Sequence, residues 1–181
     1  ATSSDGVNWV EDTLTNLTSN NFMAAEDYFF AIDSDTLKRS TDGINWVNSY
    51  VTGSSNIIGG VTHNGTEYYM IDADGSNLVI RVLRSSDAVT WTVTDTITGV
   101  FSGGKPQYFP EGGHYISVLN DDDLYSSSDG ENYTKITYTT DGAYTVNESY
   151  FYEEFDPIYF NGQYLWFLYD NVSFPERSLM F

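Results

Sequence analysis

Carboxylates are the commonest reactive side chains in this chain, with 26 acidic residues against 7 basic ones among 181. Four of them recur in one setting. The runs are Ser3-Ser4-Asp5-Gly6-Val7-Asn8-Trp9, Ser40-Thr41-Asp42-Gly43-Ile44-Asn45-Trp46, Ser85-Ser86-Asp87-Ala88-Val89-Thr90-Trp91 and Ser127-Ser128-Asp129-Gly130-Glu131-Asn132-Tyr133. A short carboxylate at the head of a turn accepts hydrogen bonds from the backbone N–H groups that follow it. Gly6, Gly43 and Gly130 supply the left-handed backbone position such a turn wants, and Ala88 implies an altered or strained third copy. Trp9, Trp46, Trp91 and Tyr133 open the strand after each turn and are expected to pack between neighbouring hairpins. Asp5, Asp42, Asp87 and Asp129 thus read as architectural acids, not catalytic ones.

Other candidates are weaker. Glu153 and Glu154, beside Phe151, Tyr152 and Phe155, could form the carboxylate pair that glycoside hydrolysis needs, with aromatics raising a carboxyl pKa and stacking on sugar. An acidic loop flanked by core aromatics is the plainer reading. His63 and His114 stand alone near turns. Nucleophile elbow, phosphate-loop and metalloprotease motifs are absent from the sequence. Asp33, Asp35, Asp72, Asp74, Asp121, Asp122, Asp123 and Asp170 lie in acidic turns expected on the face opposite the recurring hairpins. A ring of them could hold Ca²⁺, which wants six to eight oxygens. Solvated hairpin tips are the alternative. Five sequons, at Asn16, Asn64, Asn132, Asn147 and Asn171, are what chance allows in so Asn-rich a chain.

The elements that position these residues are strands. Tyr28-Phe29-Phe30-Ala31-Ile32, Tyr68-Tyr69-Met70-Ile71, Tyr115-Ile116-Ser117-Val118 and Tyr164-Leu165-Trp166-Phe167-Leu168 are aromatic runs. Asn64-Gly65, Gly112-Gly113 and Asn161-Gly162 give hairpin entries to three of them. An acidic turn follows each run, then a third strand such as Leu78–Arg84, then the Ser-x-Asp turn and a fourth strand. One unit is four antiparallel strands. Recurrence at roughly 40 residues points to propeller blades. The expected fold is an all-β single domain over 1–181, a β-propeller of about four four-stranded blades. Its units are approximately 10–51, 52–98, 99–138, and 150–181 plus 1–9. The last blade would be completed by the N-terminal segment, by another copy or by a longer parent chain. Thr140-Asp141-Gly142-Ala143-Tyr144 mimics a degenerate fifth turn within a decorated loop.

A net charge of −19 argues against nucleic-acid partners and against anionic membrane surfaces. It suits extracellular or salty water. There is no cysteine, hence no disulfide or thiolate chemistry. No apolar run is long enough to span a membrane. Ala1 opens the chain without a leader pattern, as expected of a processed product or an excised piece.

The recurring runs resemble the Asp-box, or bacterial neuraminidase repeat, Ser-x-Asp-x-Gly-x-x-Trp, with Gly one residue early in this chain. That resemblance implies a propeller whose boxes are architectural and lie away from any catalytic face. Its best-known members are sialidases, which clamp a substrate carboxylate with three arginines and use a Tyr–Glu pair and an Asp. The chain has only Arg39, Arg81, Arg84 and Arg177; Arg39, Arg84 and Arg177 look like repeated strand decoration, and no such clamp is found. The reading is a non-enzymatic extracellular, cell-surface or virion-associated module, such as a bacterial surface or phage tail component. It would bind glycan or protein subunits, or serve assembly, without a required cofactor beyond possible Ca²⁺. A glycoside hydrolase and a purely structural filament or virion subunit are the alternatives.

Overall fold

A computed structural model describes residues 3–11, 17, 21–53, 56–74, 76–98, 106–110, 113–119, 123–136, 158–160, 163–168 and 177–180. These form antiparallel sheets in strict chain order. The first sheet holds β1 (Asn21–Ala25), β2 (Tyr28–Asp33), β3 (Thr36–Ser40) and β4 (Val47–Val51). The second holds β5 (Asn56–His63), β6 (Tyr68–Asp74), β7 (Val79–Ser85) and β8 (Thr92–Thr98). The third holds β9 (Gln107–Phe109), β10 (His114–Leu119), β11 (Asp123–Ser127) and β12 (Thr134–Lys135). A three-stranded sheet follows: β13 (Ile158–Phe160), β14 (Gln163–Leu168) and β15 (Arg177–Met180). The four aromatic runs lie on β2, β6, β10 and β14. Glu153, Glu154, Asp121, Asp122, Asp170 and the turn-like run 140–144 lie outside the described residues.

Strand β6 shows why these residues form strands. Its side chains alternate between two faces, and both faces are buried. Tyr68 and Met70 join Phe30 and Leu37 of the first sheet, with Val61, Leu83 and Ala88, in one apolar cluster. Ile71 and Ala73 face the other way, against Ile80, Ile97 and Tyr125 of β11. A strand buried on both sides reads as a continuous apolar run, which is how the sequence writes it. Each fully buried side chain of this size contributes about 1.5–3 kcal/mol relative to exposure.

Successive sheets meet through their first strands, β1 against β5 and β5 against β9. The register shifts between Leu37 and Lys38 and again between Val82 and Leu83, just before the hairpin serines Ser40 and Ser85. Bulges at equivalent points add the same local twist to both sheets. Among the described residues, no helix is long and apolar enough to cross a membrane.

Candidate functional site

The four Ser-x-Asp turns share one hydrogen-bond pattern. Asp5 Oδ1 accepts from the Val7 and Asn8 N–H groups at 2.9 and 2.8 Å, and Oδ2 accepts from Asn8 Nδ2 at 2.7 Å. Ser3 Oγ donates to Asp5 Oδ1 and accepts from the Gly6 N–H. Asp42 repeats this with Ile44, Asn45 and Ser40. Asp129 repeats it with Glu131, Asn132 and Ser127. Asp87 accepts from Val89, Thr90 and Ser85.

These donors favour the ionised form. The Asn8 N–H, the largest influence, holds Asp5 well below the usual carboxylate range, and the Asn45 N–H does the same for Asp42. Asp87 is lowered to about 2, mainly by the Thr90 N–H. For Asp129, burial is the largest single influence and pushes upward, but Asn132, Glu131 and Ser127 together outweigh it. Carboxylates so saturated with donors, and so acidic, make poor general acids or bases at neutral pH.

Backbone geometry repeats too. Gly6, Gly43 and Gly130 sit at φ 73°, 74° and 77°, and Ala88 takes the same left-handed region at 55°. The third turn is therefore conserved in shape and strained in backbone. Its methyl lies in the apolar cluster with Tyr68 and Leu83. At Gly130 that space is filled, because a Cβ would lie 2.7 Å from Tyr115 Cζ and 2.8 Å from Tyr69 Cε1.

Two of the turns dock on the preceding sheet. Ser49 Oγ of β4 donates to the Ala88 carbonyl at 2.5 Å and accepts from Trp91 Nε1 at 3.1 Å. In the third sheet Glu131 pairs with Arg84 of β7, and Arg84 Nε lies 3.6 Å from Glu67. Asn64 Nδ2 reaches across the same seam to the Tyr115 hydroxyl at 2.8 Å.

The seam between the first two sheets carries a polar cluster. Asp72 of β6 is fully buried. Its Oδ2 accepts from Arg81 Nη2 at 2.6 Å and from the Tyr50 hydroxyl at 3.0 Å. Burial first, then the Asp72 charge, pushes the Tyr50 phenol up to about 12. Asp72 Oδ1 and Arg81 Nε, both buried, have no hydrogen-bond partner. An arginine–carboxylate fork is normally two parallel bonds. Here a single bond, from Arg81 Nη2 to Asp72 Oδ2, joins the pair.

This placement corrects the expectation that Asp72 belongs to an exposed acidic turn. β6 runs on to Asp74, so Asp72 pairs with Arg81 inside the sheet. Asp74 heads the turn instead, accepting from the Ser76 and Asn77 N–H groups and from Asn77 Nδ2. Asp33 pairs with Lys38 at 2.6 Å, Asp35 accepts from Thr36 Oγ1, and Asp123 opens β11. Among the described residues, no three Asp, Glu or His side chains form a group able to hold a metal ion.

Two sequons find roles as turn residues. Asn132 Nδ2 donates to Asp129, and Asn64 Nδ2 donates to Tyr115. His63 closes β5, with Nδ1 3.1 Å from the Gly65 N–H that it accepts, and His114 opens β10. Sequence reasoning missed Ser49 and Tyr50, which sit in an unremarkable strand. Asp72 did carry a signal: a lone acid in the run Tyr68-Tyr69-Met70-Ile71-Asp72-Ala73 needs a buried partner.

A family model described as the DUF6242 beta propeller domain matches residues 1–118. No curated protein matches the chain. Sequential four-stranded antiparallel sheets meeting at their first strands are what such a domain requires. The chain belongs to the DUF6242 β-propeller domain family.

Proposed function

We propose that this propeller is a non-enzymatic binding module working outside the cytoplasm, at a cell surface or in a virion, with hydroxyl-rich glycans as its leading ligand class. The observation that carries this is the polar edge at the seam of the first two sheets. The Tyr50 phenol and the Arg81 guanidinium, whose side chain is 30% exposed, converge there on the buried Asp72 carboxylate. Sugar hydroxyls donate and accept at once, which suits the solvent-facing part of that pair. The recurring turns are read as shortened Asp-boxes that hold the scaffold and take no part in the binding. A glycan array at two salt concentrations tests this. Specific hits that fall away in Arg81→Lys and Tyr50→Phe are expected. Hits unaffected by either change, or an empty array, would overturn it.

A second reading, assembly, is favoured by the first sheet. Register places Phe22, Phe29 and Val51 on one face. Phe29 is 48% exposed, whereas Tyr68 and Tyr115, which also stand opposite hairpin serines, are 4% and 2% exposed. Trp46 Nε1 closes directly on the Gly43 carbonyl, where Trp91 instead meets a serine hydroxyl from the sheet before it. This face suits one more blade, supplied by β13–β15 with residues 3–9 or by another copy. Light scattering tests the second of these: a dimer or larger species is expected where another copy supplies the blade, and a monomer would set that source aside. For the glycosidase alternative, turnover of chromogenic glycosides that is lost on changing Glu153 or Glu154 would displace the binding reading.

A further inference from the structure

We propose that Asn64–Gly65 is a self-modifying site, in which the Gly65 nitrogen attacks Asn64 Cγ with His63 as the base. The N–Cγ bond forms and the Cγ–Nδ2 bond breaks. The Gly65 proton passes to His63 Nδ1 and then to the departing nitrogen, which leaves as ammonia. Water opens the resulting succinimide to aspartate or isoaspartate at position 64.

Each group the step needs stands around this turn. Gly65 is exposed and left-handed at φ 97°, and nothing lies within 4 Å of where a Cβ would be. As a glycine it has no side chain of its own to hinder attack by its nitrogen. The Gly65 N–H already points at His63 Nδ1, 3.1 Å away. An imidazole nitrogen in that position can take up the Gly65 proton when it is unprotonated. Glu26 Oε2 lies 3.3 Å from the same Nδ1, placed to stabilise the imidazolium once the proton arrives. Asn64 Oδ1 accepts from the Thr66 N–H, the Thr66 hydroxyl and the Glu67 N–H, each at 2.9 Å. Those donors strengthen as charge builds on that oxygen during attack, as an oxyanion hole does.

The consequence reaches the neighbouring sheet. Asn64 Nδ2 donates to the Tyr115 hydroxyl across the second seam. Deamidation removes that donor and adds a negative charge to a chain already at −19. The site is thus a chemical clock that loosens one seam.

Peptide mapping by mass spectrometry tests it on the intact protein, held at neutral pH either folded or in urea. The second Asn-Gly pair, Asn161–Gly162, serves as an internal reference. Loss of ammonia at Asn64 is expected on the order of tenfold faster when folded than in urea, well short of what a positioned base contributes in an enzyme. His63→Gln, which keeps an acceptor but no base, should abolish the excess. Should that variant fail to fold by circular dichroism, Glu26→Gln should reduce the excess instead. A folded rate at Asn64 no faster than in urea, or an excess indifferent to the variant that folds, would overturn the proposal.

Discussion

The turns at residues 3–9 and 40–46 have nearly identical hydrogen bonds and very different surroundings. Both aspartates accept two backbone N–H groups and one Asn side chain at nearly the same distances. Yet Trp9 is 64% exposed and Trp46 only 9%. Trp46 rests on Phe22, with ring centroids 5.9 Å apart. The pin is therefore a local property of seven residues. Burial of the aromatic that follows it depends on the sheet behind. Local chemistry builds the turn, and tertiary packing decides whether it bears on stability.

The sharpest way to separate these contributions is alanine at two equivalent glycines. Gly6→Ala meets only the left-handed backbone penalty, about 1–2 kcal/mol, with nothing nearby to strike. Gly130→Ala meets the same penalty and also drives a methyl into Tyr115 and Tyr69, adding about 1–3 kcal/mol of overpacking. Urea denaturation should rank Gly130→Ala clearly below Gly6→Ala. Equal losses would mean that the fourth turn does not dock.

Tyr50→Phe removes one of the donors to the buried Asp72 carboxylate. A loss of roughly 1.5–3 kcal/mol is expected by the same denaturation, because the bond is to a charged group. A neutral result would mean that the Tyr50–Asp72 bond is not made in the folded core.

Acid titration extends the comparison to all four pins. Asp87 falls from the ordinary 3.8 to about 2 in the folded chain, so the unfolded state binds its proton first as pH drops. Its stabilising contribution is complete above about 4 and disappears as pH falls toward 2. Asp5, Asp42 and Asp129 are lowered in the same direction. Circular dichroism should show stability falling through that window, with a shallower fall in Asp87→Asn.

The smallest effect belongs to Trp9. Trp9→Phe should shift stability by no more than about 0.5 kcal/mol, as for other exposed positions. It should also reduce the indole fluorescence that acrylamide quenches readily, since Trp9 is far more exposed than Trp46. An unchanged readily quenched signal in the variant would contradict that exposure.

The pins and the aromatic strands were legible in the sequence because both are local signals. An Asp followed by Gly states its own turn chemistry, and Tyr68-Tyr69-Met70-Ile71 is apolar along its whole length. Strand β6 begins at Tyr68, where the run begins. What could not be read was which residues meet across sheets. Ser49 and Trp91 lie far apart in the chain, and no local pattern marks their contact. Asp72 was assigned to a turn because Asp72-Ala73-Asp74-Gly75 reads like one. Its partner Arg81 lies beyond that turn, so only the register reveals that the acid is inside. Ala88 was legible in part. The substitution signalled strain, and its φ of 55° agrees, but the compensating burial of its methyl depends on the first sheet.

Docking of the third turn on the sheet before it is tested most directly by a double-mutant cycle on Ser49→Ala and Trp91→Phe, whose side chains are bonded across the first seam. A coupling of about 0.5–1.5 kcal/mol is expected for one such hydrogen bond between residues in contact. Strict additivity, with each change behaving as though the other residue were absent, would contradict the seam.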